Sequence, residues 1–166
     1  DNALSSAQEA GELGTFTIRL GAGAWQVSDT LRAILGLPRE QALSLGMMWS
    51  LVHDDDRKPL KAFFQDDVLA RHQVFDREYR VRRFGDGKLL WVHALGKLQL
   101  DDDGVPTHIR GTVQDISRRK FAEEALWLAN QVFEHTSEGI VVLNRNVRIV
   151  ASNPAFSAIT GYSAEE

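Results

Sequence analysis

After His72 the apolar residues stop recurring every three or four positions and begin to alternate. Three such runs follow, Phe75 to Phe84, Leu89 to Leu100 and Thr107 to Ile116, joined by Gly85-Asp86-Gly87 and Asp101-Asp102-Asp103-Gly104. Alternation over that length is the mark of a half-buried strand, and turns this short and rich in Gly and Asp leave only antiparallel neighbours. A meander of three strands has one apolar face, and something must cover it.

The preceding residues supply the cover. Leu60, Phe63, Phe64 and Val68 repeat at helical spacing, in a helix expected from Asp54 to about Ala70, with Asp54-Asp55-Asp56 as N-cap and first-turn carboxylates. A short apolar stretch around Gly46 runs from Leu43 to Trp49. Earlier still, Thr15 to Leu20 alternates with period 2, a second β-rich run follows, and Ser28-Asp29 opens a helix that Gly36 closes. Two strands, three short helices and three strands make an α+β domain with a five-stranded antiparallel sheet.

The chain also repeats itself. Shifted by 125 residues, Gly14 falls on Gly139, Leu31 on Phe156, Ala33 on Ala158, Ile34 on Ile159 and Gly36 on Gly161. The second copy has its own hairpin, Ile140 to Leu143 and Val147 to Val150 around Asn144-Arg145-Asn146, then Asn153-Pro154 to start a helix. We therefore expect a tail or helix end over residues 1–12, one full domain over 13–116, a helical linker over 117–135 and the truncated start of a second domain over 136–166. Tandem modules cut from a longer protein are the expected setting. The linker holds no Gly or Pro, and Phe121, Ala125, Leu128 and Val132 follow a 4-3-4 spacing, a seam that calls for packing against the sheet or a partner helix.

Composition removes several function classes. With no cysteine among 166 residues there is no disulfide, thiolate nucleophile or Cys-ligated zinc, and a net charge of -4 gives no general attraction to nucleic acid or anionic membrane. Arg118-Arg119-Lys120 reads as a solvated first turn. The five histidines show no i, i+4 pair for zinc, so no metal site is expected. No serine sits in a nucleophile elbow, and Gly21-Ala22-Gly23 meets Gln26 where a dinucleotide fingerprint needs its third glycine. No enzyme is expected in this segment. No apolar run spans a bilayer, and a cytoplasmic location is expected, with any membrane anchor of the parent protein lying elsewhere.

The distributed motifs resemble a PAS domain with its C-terminal PAC motif. They are Trp25 to Ser28, Ile34-Leu35-Gly36, His53-Asp54-Asp55-Asp56-Arg57 (with Asp54 where proline is usual), Phe75 to Arg80, Asp86-Gly87, Trp91-Val92, Gly104, Gly111 and Asp115-Ile116-Ser117 before Arg119-Lys120. Residues 133–162 resemble the start of a second such domain. The resemblance implies a sensory, dimerising module of a multidomain bacterial signalling protein, its sheet and short helices enclosing a small cavity and its last helix carrying the signal onward. The second opening is similar to those ahead of GGDEF and EAL domains of cyclic di-GMP signalling, which is the favoured output. A sensor histidine kinase and a ligand-free dimerisation scaffold are the alternatives. A homodimer through the linker helix and the PAS domain, with an output domain in the same chain, is the implied assembly.

The implied pocket would be lined by Phe63, Phe64 and Val68 on the helix and by Phe75, Tyr79 and Trp91 on the meander. The side on which Trp91 lies is left open by the sequence, since Leu89, Leu90, Val92 and Leu95 fall on both faces. These aromatics either fill the core or hold a small apolar or amphipathic molecule. No cofactor is the expectation. The haem alternative would make His72 the axial ligand, and flavin could be held only noncovalently. Asp115 and Ser117 stand where strand becomes helix, and either could cap the outgoing helix. The resemblance implies further that Asp115 pairs with a basic side chain and couples the sheet to the linker.

Overall fold

A computed structural model describes residues 13–23 and 25–163, so the expected tail over 1–12 lies outside the described residues. By its internal contacts the chain divides into two compact units, Asp1–Arg118 and Arg119–Glu166. The first contains β1 (Leu13–Arg19), β2 (Trp25–Val27), α1 (Asp29–Leu35), α2 (Leu45–Leu51), α3 (Asp54–Phe63), β3 (Phe75–Arg82), β4 (Leu89–Leu100) and β5 (Pro106–Asp115). The strands form one antiparallel sheet in the order β2-β1-β5-β4-β3. Because β1 pairs with β5, the helices between β2 and β3 must cross from one edge of the sheet to the other, covering a single face. The fold is α+β, and α4 (Ser117–His135) leaves directly from the central strand.

Which side chains face inward follows from the two-residue period of the strands. Tyr79 and Val81 on β3, Leu90, Val92 and Ala94 on β4, and Ile109 and Val113 on β5 are buried against Leu31 and Leu35 of α1, Met48 and Leu51 of α2, and Leu60 of α3. Each such aliphatic side chain contributes about 1.5–3 kcal/mol by leaving water.

Two local expectations are corrected. His53, and not an aspartate, caps α3, its Nδ1 accepting from the Asp55 N–H at 3.3 Å. The helix also does not run uniformly to Ala70. It passes through Pro59, then widens into a π-helical segment over Phe64–Leu69, closed by Ala70 N–H donating to Gln65 O at 3.1 Å.

In the second unit α4 is followed by β6 (Val141–Leu143), β7 (Ile149–Ser152) and α5 (Pro154–Thr160). Here the sequence repeat reappears as a repeat of hydrogen bonds. In the first unit Ser28 Oγ accepts from Leu31 N–H at 3.2 Å and Thr15 N–H at 2.9 Å, while Ser28 N–H donates to Thr15 O at 2.9 Å. At the same 125-residue shift, Asn153 Oδ1 accepts from Phe156 N–H at 3.0 Å and Ile140 N–H at 2.8 Å, and Asn153 N–H donates to Ile140 O at 3.0 Å. Gly36 and Gly161 then end α1 and α5 in the left-handed region, at φ of 70° and 79°. One cap residue in each unit thus fastens a strand start to a helix start.

Candidate functional site

The helices do not fill the inner face of the sheet completely. A cavity of about 60 Å³ remains, bounded by Phe16 and Ile18 of β1, Leu31 and Leu35 of α1, Met48 and Trp49 of α2, Phe64, Phe75, Tyr79 and Ala94. Its aromatic walls meet edge to face. Trp49 stands against Phe64 at 5.8 Å and 73°, Phe64 against Phe75 at 6.3 Å and 68°, and Phe75 against Tyr79 at 6.3 Å and 90°. The Phe16 ring can come close to the strands because Gly96 and Gly111, cross-strand partners, have no side chains there. A Cβ on Gly111 would meet the ring at 2.7 Å and the Gly96 Cα at 2.8 Å.

The lining side chains are apolar but for the polar tips of Trp25, Trp49 and Tyr79; burial pushes the Tyr79 pKa far above the ordinary phenol value, so that group is neutral at any physiological pH. Trp25, at the β2 edge of the cavity, holds its Nε1 buried without a hydrogen-bond partner.

Of the six residues expected to line a pocket, the structure brings Phe64, Phe75 and Tyr79 to the cavity and places the other three elsewhere. Phe63 sits outside it, its ring 3.7 Å from the Arg77 guanidinium carbon. Val68 is fully buried in the core but is not part of the lining. Trp91 is corrected to the opposite face of the sheet, because Leu90, Val92 and Ala94 take the inward positions of β4. Trp25, Leu31, Leu35, Met48 and Trp49 line the cavity and were missed. The β2 strand and α2 are only three and seven residues long, too short for periodicity to show which side is inward.

The axial ligand of the haem alternative, His72, is a turn residue between helix and strand. It lies in a left-handed turn (φ 57°) after the π-helical segment, in an exposed dent with Gln73, Val74, Lys97, Leu98 and Leu100. It is not among the residues facing the cavity. Sites for drug-sized ligands and cofactors span about 300–1,000 Å³, so neither haem nor flavin fits this space with these side chains. A void of this size suits one small apolar molecule. Among the described residues no group of three or more His, Asp or Glu gathers to hold a metal ion.

At the root of α4, Asp115 Oδ1 accepts from the Ser117 N–H at 2.9 Å and so caps the helix start. Ser117 does something different from capping. Its Oγ accepts from the Trp91 N–H at 2.9 Å, and Ile116 N–H donates to Trp91 O at 2.9 Å. Strand β4 is thereby fastened to the first residues of the outgoing helix. Asp115 also acts on Arg83, whose pKa is raised chiefly by its hydrogen bonds to Asp86 and to a smaller degree by Asp115. Phe121, Ala125, Leu128 and Val132 on α4 are all exposed, and no residue of that helix is buried. No helix among the described residues is long and apolar enough to cross a membrane.

This cavity-and-helix arrangement can be set beside known proteins. A family model described as PAS fold matches residues 24–113, more than half of the chain, and a PAS domain model matches residues 129–166. The chain belongs to the PAS family. It is 31% identical over 114 residues to the sensor protein FixL of Bradyrhizobium diazoefficiens, covering 69% of this chain and 22% of that protein. The chain therefore spans under a quarter of the length of its curated relatives. Among solved structures, a sensory box histidine kinase/response regulator from Burkholderia thailandensis aligns at a TM-score of 0.61 with 25% identity, covering 77% of this chain and 95% of that one. The N-terminal domain of a diguanylate cyclase with a PAS/PAC sensor from Marinobacter aquaeolei aligns at 0.60 with 20% identity, covering 65% and 98%. PAS domains are sensory and not catalytic, and both kinases and cyclases carry them.

Proposed function

We propose that this segment is the sensory and relay part of a larger signalling protein. Residues 13–116 would act as the sensor, 117–135 as the linker and 136–166 as the opening of a second PAS domain. The observation that carries the reading is the fastening of β4 to the start of α4 through Ser117 and Ile116, behind a cavity whose walls include the inner face of that same strand. A small apolar molecule entering or leaving the cavity shifts the sheet, and the sheet moves the helix root. The exposed seam of Phe121, Ala125, Leu128 and Val132 suits pairing with the same helix of a second copy, so that rotation or register of the pair reports the change.

Two outputs have support. The form of the second-unit opening and the Marinobacter neighbour favour a diguanylate cyclase or phosphodiesterase. The FixL relative and the Burkholderia neighbour favour a histidine kinase equally. The test is Asp115→Ala in the full-length parent, with output measured with and without its signal. Altered output from a folded domain supports the relay. Unchanged output and unchanged response overturn it in favour of a scaffold that only dimerises and spaces domains. Native against denaturing mass spectrometry on fresh protein asks separately whether the cavity carries a molecule.

A further inference from the structure

Asp56 lies in the first turn of α3, where a solvated carboxylate would suffice, yet it is committed to one residue far away in the chain. Its Oδ2 accepts from the Arg80 backbone N–H at 2.9 Å and from Arg80 Nε at 3.0 Å, and its Oδ1 accepts from Nη2 at 2.7 Å. Three charge-assisted bonds on a half-buried pair define a fixed joint between α3 and β3, where exposed ion pairs are loose. Two backbone links lie beside it, His53 N–H to Arg80 O at 2.9 Å and the Val52–Val81 bridge.

Arg80 reaches further. Its guanidinium carbon lies 5.6 Å from the Trp91 ring centroid, within cation–π range, and the two residues are direct partners across β3 and β4. Trp91 is in turn the residue whose N–H and C=O are held by Ser117 and Ile116. The same helix that carries Asp56 in its first turn lines the cavity with Leu60 and continues into Phe64, while Tyr79, the neighbour of Arg80 on β3, points into it.

We propose that Asp56, Arg80 and Trp91 are positioning residues that tie the cavity helix α3 to the root of α4 by a route on the outer face of the sheet. This rests on the reading that α4 carries the state of the domain outward, and it names the parts that would move it. Spatial succession alone is not coupling. The physical content is that one ion pair holds both a helix that senses cavity volume and a ring whose backbone anchors the exit helix.

The test is amide hydrogen exchange on this chain, comparing wild type with Asp56→Asn. The side-chain amide cannot sustain the charged fork, so Trp91 and Ser117 amides should exchange about tenfold faster, the factor expected for losing one charge-assisted bond's worth of local stability. Ile18 and Ile109 amides should not change. Asp76→Asn, which removes the charge from the 2.7 Å contact to His93 on the same face, is the matched control and should leave Trp91 unaffected. Arg80→Lys keeps the charge but neither the fork nor the stacking plane, and should reproduce Asp56→Asn; it also stands in if that variant fails to fold. Unchanged exchange at Trp91 and Ser117 overturns the proposal. So does a uniform rise that includes Ile18 and Ile109, because the pair would then act only on global stability. No ligand or output enters this readout, so the link can fail while the sensory reading stands, and the Asp115→Ala experiment can fail while the link is measured intact.

Discussion

Replacing Ala94 with valine probes the cavity from the side of the sheet. Ala94 is 2% exposed, faces inward from the middle of β4 and lies opposite Val113 of β5, so two added methyl groups project into the void. At about 24 cal/mol per Å³, leaving a space of about 60 Å³ empty costs about 1.4 kcal/mol. A β-branched residue also suits a strand. Filling most of the space should therefore stabilise the first domain by about 1 kcal/mol, which for a domain of this size raises Tm by about 4–8 °C. Thermal and urea unfolding followed by circular dichroism measure it. A loss of about 1 kcal/mol or more, the usual cost of overpacking, would show that the space is not available to side-chain atoms and would refute the cavity argument. If a bound molecule is found by mass spectrometry, Ala94→Val should abolish its retention while leaving the fold intact.

Further consequences can be measured on the same protein. The Asp56 carboxyl is held below its ordinary pKa chiefly by hydrogen bonds from the Arg80 side chain. A depressed folded pKa gives stability that is present above the unfolded value of about 3.9 and lost as pH falls through the folded one, so urea midpoints should decline below about pH 4 and Asp56→Asn should flatten that decline. Asp86, drawn down to about 2 chiefly by the Arg83 side chain, should titrate well below ordinary aspartates by carboxyl NMR, and Arg83→Ala should return it toward them. Gly111→Ala should cost about 2–3 kcal/mol, since its Cβ would collide with the Leu95 carbonyl and the Phe16 ring, and denaturant unfolding would show it. Asn153→Ala removes the cap of α5 and leaves the Ile140 and Phe156 amides unpaired. It should lower the stability of the second unit by about 2 kcal/mol, read from exchange at Ile140.

The elements of this chain were legible wherever a pattern ran for several residues. Alternation after His72 fixed β3, β4 and β5 almost to their ends, because one face of a sheet must be apolar and the turns between the strands were too short to allow anything but antiparallel pairing. Ser28 and Asn153, with their closing glycines, marked two helices through chemistry local to each cap. The repeat at 125 residues was visible as letters and proved to be one hydrogen-bond scheme used twice.

Contacts between elements distant in sequence were not legible. The face on which Trp91 lies was undecided because apolar residues occupy both sides of β4, and only packing of α1, α2 and α3 on one of them resolved it. Asp56 looked like one of three equivalent first-turn carboxylates. Its bond to Arg80 joins residues 24 apart, and no local spacing announces that. Ser117 had the look of a cap and instead holds Trp91, 26 residues away. Periodicity and capping act within a few residues, so sequence alone can specify them. A cavity, an ion pair between elements and the anchoring of a helix root depend on which elements come to lie side by side, and the pairing of β1 with β5 and the crossing of the helices over one face decided that.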